Sequence, residues 1–316
     1  MAIDVITVFG GSGFIGRALI QRLAETGACI RVAVRDPEQA LPLKPLGDVG
    51  QIVPVQANVR NDASVRAAVA GADAVVNLVG ILYQKGAQTF EAVHVQAAER
   101  IAKAAAAEGA RRLVHMSALG VAPNAPSVYA RTKAAGEEAV RRAFPTAAII
   151  RPSVVFGPGD GFFNLFASLA RFTPVLPLIG GGGTRFQPVY VGDVADAMAK
   201  ILADPALGGT VYELGGPHVY TFKELMQLVL RETGMRRLLV PVPFGVASFE
   251  AFFLEMLPSP PLTRDQVTLL RSDNVVDGQH PGLAELGIAP TAAEVILPFY
   301  MDMYRKGGRY TSAQPV

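Results

Sequence analysis

A doubly wound α/β fold, in which a parallel sheet carries helices on both faces, is predicted by three features of this 316-residue chain. Apolar strand-like runs alternate with Ala-rich helical stretches through the first half, as in parallel sheets joined by helical crossovers. A glycine-rich turn, Gly10-Gly11-Ser12-Gly13-Phe14-Ile15-Gly16, follows the first apolar run and opens the first helical stretch. Apolar residues make up 50% of the chain, enough to bury a full core without staples.

In chain order, residues 5–9 read as the first strand and 17–26 as the first helix. A strand at 29–34, a helix at 64–70, a strand at 74–79 and a helix at 89–108 follow, then a strand at 112–116, a helix at 127–144 and a strand at 147–150. Ser127 suits the N-cap of the last of these helices and Pro145 ends it. After Arg151-Pro152 the alternation stops, and glycine, proline and phenylalanine accumulate at 156–159 and 180–183. A helix at 194–203 and a strand at 211–214 are expected to return to the sheet. The expected division is a Rossmann-type domain over 1–151, with 186–215 returning to it, and a smaller, irregular α/β domain over 152–185 and 216–316.

Glycines 10, 13 and 16 let the backbone turn sharply and approach a pyrophosphate, whose charge then meets the free N–H groups of a helix N-terminus. The candidate dinucleotide residues are therefore Gly10, Ser12, Gly13, Phe14, Ile15 and Gly16. A strand-to-helix turn without a ligand is the alternative, and strand before with helix after is the context that favours the site. At the end of the second strand an acid would hold the ribose of NAD, whereas an arginine would pair with the 2′-phosphate of NADP. Arg35 stands there, which favours NADP(H) over NAD(H); Asp36, next in sequence, could cap the following turn. Arg17 could add a second phosphate contact or stand as a solvated helix residue.

Ser117, Tyr129 and Lys133 form a second constellation. Tyr129 and Lys133 are four apart on a predicted helix and share one face. In such an arrangement lysine's charge lowers the tyrosine pKa and its ammonium can hold the nicotinamide ribose, while Ser117 at a strand end orients a substrate carbonyl or hydroxyl. Tyr129 is then the acid or base. A helix-surface tyrosine with no such role is the bland alternative, and the glycine turn together with the upstream serine weighs against it.

Composition excludes several classes. The single cysteine, Cys29, rules out an internal disulfide framework and reads as a small buried residue in a reducing compartment. Four histidines, His94, His115, His218 and His280, are far apart and show no paired ligand spacing, so no metal is expected. A formal charge of +2 with interspersed signs gives no basic face for nucleic acid. The N-terminus runs straight into the first strand and no long apolar run occurs, so a cytoplasmic protein is expected. Residues 245–257 include Val246, Phe249, Phe252, Phe253, Met256 and Leu257, a stretch too short to span a bilayer. A hydrophobic helix of this kind is ordinarily buried in its own domain, so a lid or core helix is expected; docking on a partner or membrane surface is the alternative.

The chain resembles the extended and atypical branch of the short-chain dehydrogenase/reductases, NAD(P)-dependent epimerases, dehydratases and reductases. The glycine turn carries the resemblance, with Asn58-Val59, Asn77-Leu78-Val79-Gly80, Ser117 with Tyr129-x-x-x-Lys133, the segment 151–158 and the segment 187–195. It implies Asn58 and Val59 against adenine, Val79 and Gly80 near the cofactor ribose, and Pro152 and Val155 near the nicotinamide. Relatives often carry aspartate where Asn58 stands. A narrower similarity, to the nucleotide-binding accessory subunits of respiratory complex I and their bacterial relatives, rests on residues 76–82, 90–95, 160–164, 262–267 and 272–276. That similarity implies a tightly held, structural NADPH and docking on the peripheral arm of complex I, at the inner face of the respiratory membrane. The alternative is a working oxidoreductase or epimerase that uses Ser117, Tyr129 and Lys133 on a sugar-like or isoprenoid-like small-molecule substrate.

Overall fold

The computed structural model describes residues 3–308, and the chain divides into two compact units. The first runs up to Pro152 and adds Val191–Leu214 and Asp277–Ala289; the second holds Ser153–Tyr190, Gly215–Val276 and the residues from Pro290 onward.

The first unit is built on a seven-stranded sheet. Its strands are β1 (Val5–Phe9), β2 (Cys29–Val34), β3 (Ile52–Gln56), β4 (Ala74–Asn77), β5 (Arg112–Met116), β6 (Ala148–Pro152) and β7 (Val211–Leu214). They lie in the order β7-β6-β5-β4-β1-β2-β3, with every pair parallel. The helices are α1 (Phe14–Ala24), α2 (Asp62–Val69), α3 (Ala97–Ala107), α4 (Val128–Ala143) and α5 (Val191–Ala203). From β1 the chain first winds outward to β2 and β3, then returns to place β4 on the other side of β1. The carboxyl ends of β1 and β4 thus form the topological switch point, where doubly wound sheets bind ligands.

Both faces of the sheet are covered, so its strands are rich in apolar residues on both sides rather than strictly alternating. On one face Phe9, Val75, Leu113 and Ile149 pack against Ala98, Ile101, Ala102, Ala105 and Val140. Alanine at most helix positions lets α3 approach the strands closely. On the other face α1 packs beside α5, and Arg22 Nε reaches Asp196 Oδ1 at 2.5 Å. Cys29 is half-buried as the first residue of β2.

Segment 277–289 belongs to the first unit, where the sequence reading assigned it to the smaller domain. Its anchor is the outer edge of β7: the Glu213 N–H donates to the Pro281 carbonyl at 3.0 Å. Beneath it, Arg151 donates to Glu137 at 2.7 Å and to Glu213 at 3.4 Å. That guanidinium bridges both buried carboxylates, with Arg141 at 3.9 Å from Glu137 and the Asp277 N–H on Glu213 as further partners.

In the second unit the helices Phe163–Phe172, Phe222–Thr233 and Ala293–Met301 close on a core of Phe156, Phe163, Phe222, Leu225 and Leu297. The strands Val175–Ile179 and Leu238–Val242 pair in parallel. Helix Phe222–Thr233 starts with a Thr221–Glu224 capping box and stops at Gly234, whose φ of 66° suits glycine.

Helix Phe244–Leu254 departs from the expectation of a buried lid or core helix. Only Ala247 and Ala251 are buried on it. Phe249 is 67% exposed, Phe253 53% and, just beyond, Met256 79%. The cause is apolar residues on all sides of a helix that has packing partners on one face only, among them Ile179 and Val267. Among the described residues no helix is long and apolar enough to cross a membrane.

Candidate functional site

The site lies at the switch point of the first unit. After Phe9 the chain turns at Gly10, whose φ of 79° only glycine adopts freely. Gly10 N–H donates to Ala33 O at 3.1 Å and Gly13 N–H to Gly10 O at 3.0 Å, so the turn is fixed by its own backbone. A Cβ on Gly16 would meet the carbonyl oxygens of Gly11 and Gly10 at 2.5 and 2.6 Å. One on Gly10 would press on the Leu78–Val79 peptide at 3.3 Å. No side chain caps α1 at Gly13, and its first turn, with Phe14 and Ile15, holds no acid. Unshared helix N–H groups above a cradle with no room for side chains fit a pyrophosphate.

Arg17 Nε donates to the Ser12 carbonyl at 2.9 Å and so ties helix α1 to the loop. Arg35 is exposed directly after β2. Asp36 accepts the Glu38 N–H at 3.1 Å and the Gln39 amide at 3.2 Å, so its carboxylate caps the next turn. After β3, the Asn58 side chain accepts the Arg60 N–H at 3.1 Å in a local turn, while Val59 leans on the core. After β4, Asn77 accepts the Val79 N–H at 3.1 Å and its amide faces His115 Nδ1 at 3.1 Å, which shapes the loop through Gly80.

Ser117 follows β5, held by a 2.7 Å bond from its N–H to Ile150 O. It is 4% exposed, and its hydroxyl has no hydrogen-bond partner among the described residues. A buried orphan hydroxyl calls for a ligand oxygen or water. Tyr129 and Lys133 stand on α4, whose N-terminus is capped by Ser127 accepting the Ala130 N–H at 3.2 Å. Lys133 is buried and its Nζ donates to Met116 O at 2.5 Å, beside Ser117. Burial lowers the ammonium to about 8, with the charge of Glu137 opposing. The Tyr129 phenol is pushed up to about 12 by burial. Lysine was expected to lower it; desolvation raises it instead, and the phenol is protonated at neutral pH.

Pro152 is buried at the end of β6, its carbonyl accepting the Leu119 N–H at 3.0 Å. Val155 stands in the second unit, half-buried on a two-residue strand paired with Val189–Tyr190.

Three site neighbours had no role in the sequence reading: Asn77, His94 and His115. His94 and His115 are each 1% exposed. Burial brings His94 down to about 3 and holds His115 well below its ordinary value, the charge of Lys133 adding to both. Both are therefore neutral at physiological pH. Isolated histidines in unlike segments carry no spacing signal, so nothing in the sequence could reveal this gathering.

Fold and site together define a nucleotide-binding doubly wound protein. The chain belongs to the NAD dependent epimerase/dehydratase family, whose profile matches residues 6–215. It is 37% identical to the mitochondrial NADH dehydrogenase (ubiquinone) 1 alpha subcomplex subunit 9 of Arabidopsis thaliana, over 96% of this chain and 79% of that one. It is 30% identical to the ceramide reductase of Caulobacter vibrioides over 76% of this chain and 74% of that one. Among solved structures it resembles DesIV, a dTDP-glucose 4,6-dehydratase from Streptomyces venezuelae with NAD and TYD bound. The TM-score is 0.72 at 20% identity, over 95% of this chain and 96% of that one.

Proposed function

We propose that this chain binds NADP(H) tightly as a structural ligand and supports respiratory complex I or related quinone machinery, held peripherally at the inner face of the respiratory membrane. The observation that carries the reading is the similarity to the alpha subcomplex subunit, which extends along nearly the whole chain and through both units. The exposed aromatic helix Phe244–Leu254 supports it, since a contiguous apolar surface of this kind suits a partner or membrane surface. In this reading residues 10–16 hold the pyrophosphate and Arg35 faces the 2′-phosphate. Tyr129 and Lys133 hold the nicotinamide ribose, and Asn58, Val59, Val79, Gly80 and Pro152 line the remaining cofactor surface of the first unit. Arg35 with Asp36 already engaged supports NADP(H) over NAD(H).

A second reading keeps one specific support, the orphan Ser117 hydroxyl beside Lys133. A nicotinamide cofactor supplies hydride chemistry when bound. Ser117 would then hold a carbonyl oxygen of a small-molecule substrate, and Tyr129, protonated at neutral pH, would donate its proton to that oxygen. The two readings separate in one experiment. A ligand that binds only the folded state stabilises it by RT ln(1 + [L]/Kd), about 4 kcal/mol at a thousandfold excess over Kd. The structural reading expects a large rise in Tm with NADPH, a smaller one with NADH, and no turnover in a screen of alcohols and carbonyls. Turnover lost in Tyr129→Phe with cofactor affinity retained would establish the enzyme instead.

A further inference from the structure

We infer that His94 is a positioning residue that clamps the loop after β4 to the helix bearing Tyr129 and Lys133, and so sets the nicotinamide half of the nucleotide site. The inference rests on the reading of Tyr129 and Lys133 as the nucleotide anchor. Four observations converge on it. First, His94 sits in a π-helical turn, Glu91–Gln96, at the head of α3. Widened turns of this type cost helix regularity and recur where a side chain must be aimed. Second, helix α4 lies so close here that a Cβ on Gly136 would run into the His94 carbonyl oxygen. That approach fixes the backbone of His94 against α4.

Third, both ring nitrogens are engaged, and in a defined sense. Ile81 N–H donates to Nε2 at 3.2 Å, which makes Nε2 the acceptor and leaves the proton on Nδ1. Nδ1 faces Thr132 Oγ1 at 3.1 Å, and that hydroxyl donates back to the α4 carbonyls of Val128 at 2.9 Å and Tyr129 at 3.0 Å, leaving its lone pair for the imidazole. A neutral imidazole thus joins Ile81 in the loop after β4 to Thr132 of α4, the residue next to Lys133. Fourth, the ring meets Tyr129 edge to face, with centroids 5.2 Å apart, and stacks on Phe90 at 5.2 Å. Gly80 leaves the approach to Nε2 open, with its Cβ position 4.0 Å from that atom. A strut with these contacts governs where the ribose-facing loop lies relative to the tyrosine. Among the described residues no hydrogen bond or ring contact links His94 to the glycine turn at 10–16.

The test is a comparison of whole dinucleotide with its adenine half, measured by calorimetry on the full chain. The probes are NADPH with 2′,5′-ADP, or NADH with ADP if the wild type prefers it. His94→Leu removes both hydrogen bonds, and Thr132→Val removes only the Nδ1 partner while leaving the buried ring in place. The expected result is a weakening of the dinucleotide by about tenfold or more in His94→Leu and less in Thr132→Val. The adenine half should bind all three proteins within about twofold, and His94→Gln, which retains a donor and an acceptor, should recover part of the loss. Equal weakening of dinucleotide and fragment, or no weakening in the folded Thr132→Val variant, overturns the assignment. A wild type that binds neither probe overturns the nucleotide reading itself, and the assignment with it.

Discussion

Lys133 shows how burial decides what a single charge does. Its ammonium is lowered to about 8 because desolvation exceeds the help from Glu137. In the proposed reading the charge present below that pH gives the ribose hydroxyls a cationic donor, and above it the donor is neutral. Nucleotide affinity is therefore expected to fall as pH rises from 7 to 9, and the fall should vanish in Lys133→Met, as calorimetry across that range will show. His94 works in the opposite pH direction. Its folded pKa of about 3 lies below the ordinary 6.5, so between those values the unfolded chain binds a proton that the folded chain refuses. Stability is then lost as pH falls from about 6.5 towards 3, by roughly 1.4 kcal/mol per pH unit for that one group. Urea unfolding at pH 7, 6, 5 and 4 measures the slope, and His94→Leu should reduce it, leaving the part due to His115.

At the scale of elements, the glycine turn and the exposed helix make contrasting demands. Gly16→Ala drives a Cβ into two carbonyl oxygens at 2.5 and 2.6 Å, contacts that cannot relax without opening the turn. Overpacking of this kind costs about 1–3 kcal/mol, and nucleotide binding should be lost with it. A lower Tm that NADPH no longer raises is the expected observation. On helix Phe244–Leu254 the double change Phe249→Ser and Phe253→Ser removes surface groups, so stability should stay within about 0.5 kcal/mol. Recovery with the membrane fraction of the native host should drop at the same time; unchanged recovery would detach this helix from docking.

The same elements show what the sequence could and could not disclose. β1, β2, β5 and β7 begin and end where the apolar-rich runs do, because strands buried on both faces are predominantly hydrophobic. The stretch 89–108 reads as one helix, yet it divides into a π-helical turn and α3. The turn coincides with the close approach of Gly136 to the His94 carbonyl, a tertiary contact that leaves no mark on periodicity. Ser117, Tyr129 and Lys133 are readable as a motif, whereas the upward shift of Tyr129 follows from burial and the neutral histidines from burial together with the Lys133 charge, both set by tertiary structure. Helix Phe244–Leu254 is readable as apolar; its exposure follows from how little of the second unit packs against it.

For the whole molecule, the intact cradle and anchor residues are needed equally by a structural nucleotide and by a catalyst, so the assembly state decides between them. The most direct measurement is purification of the tagged protein from its native host in mild detergent, without added nucleotide, followed by mass spectrometry of the bound small molecule and the accompanying proteins. The account expects near-stoichiometric NADPH together with subunits of respiratory complex I. A protein that arrives with an empty or freely exchanging site and no respiratory partners would contradict it.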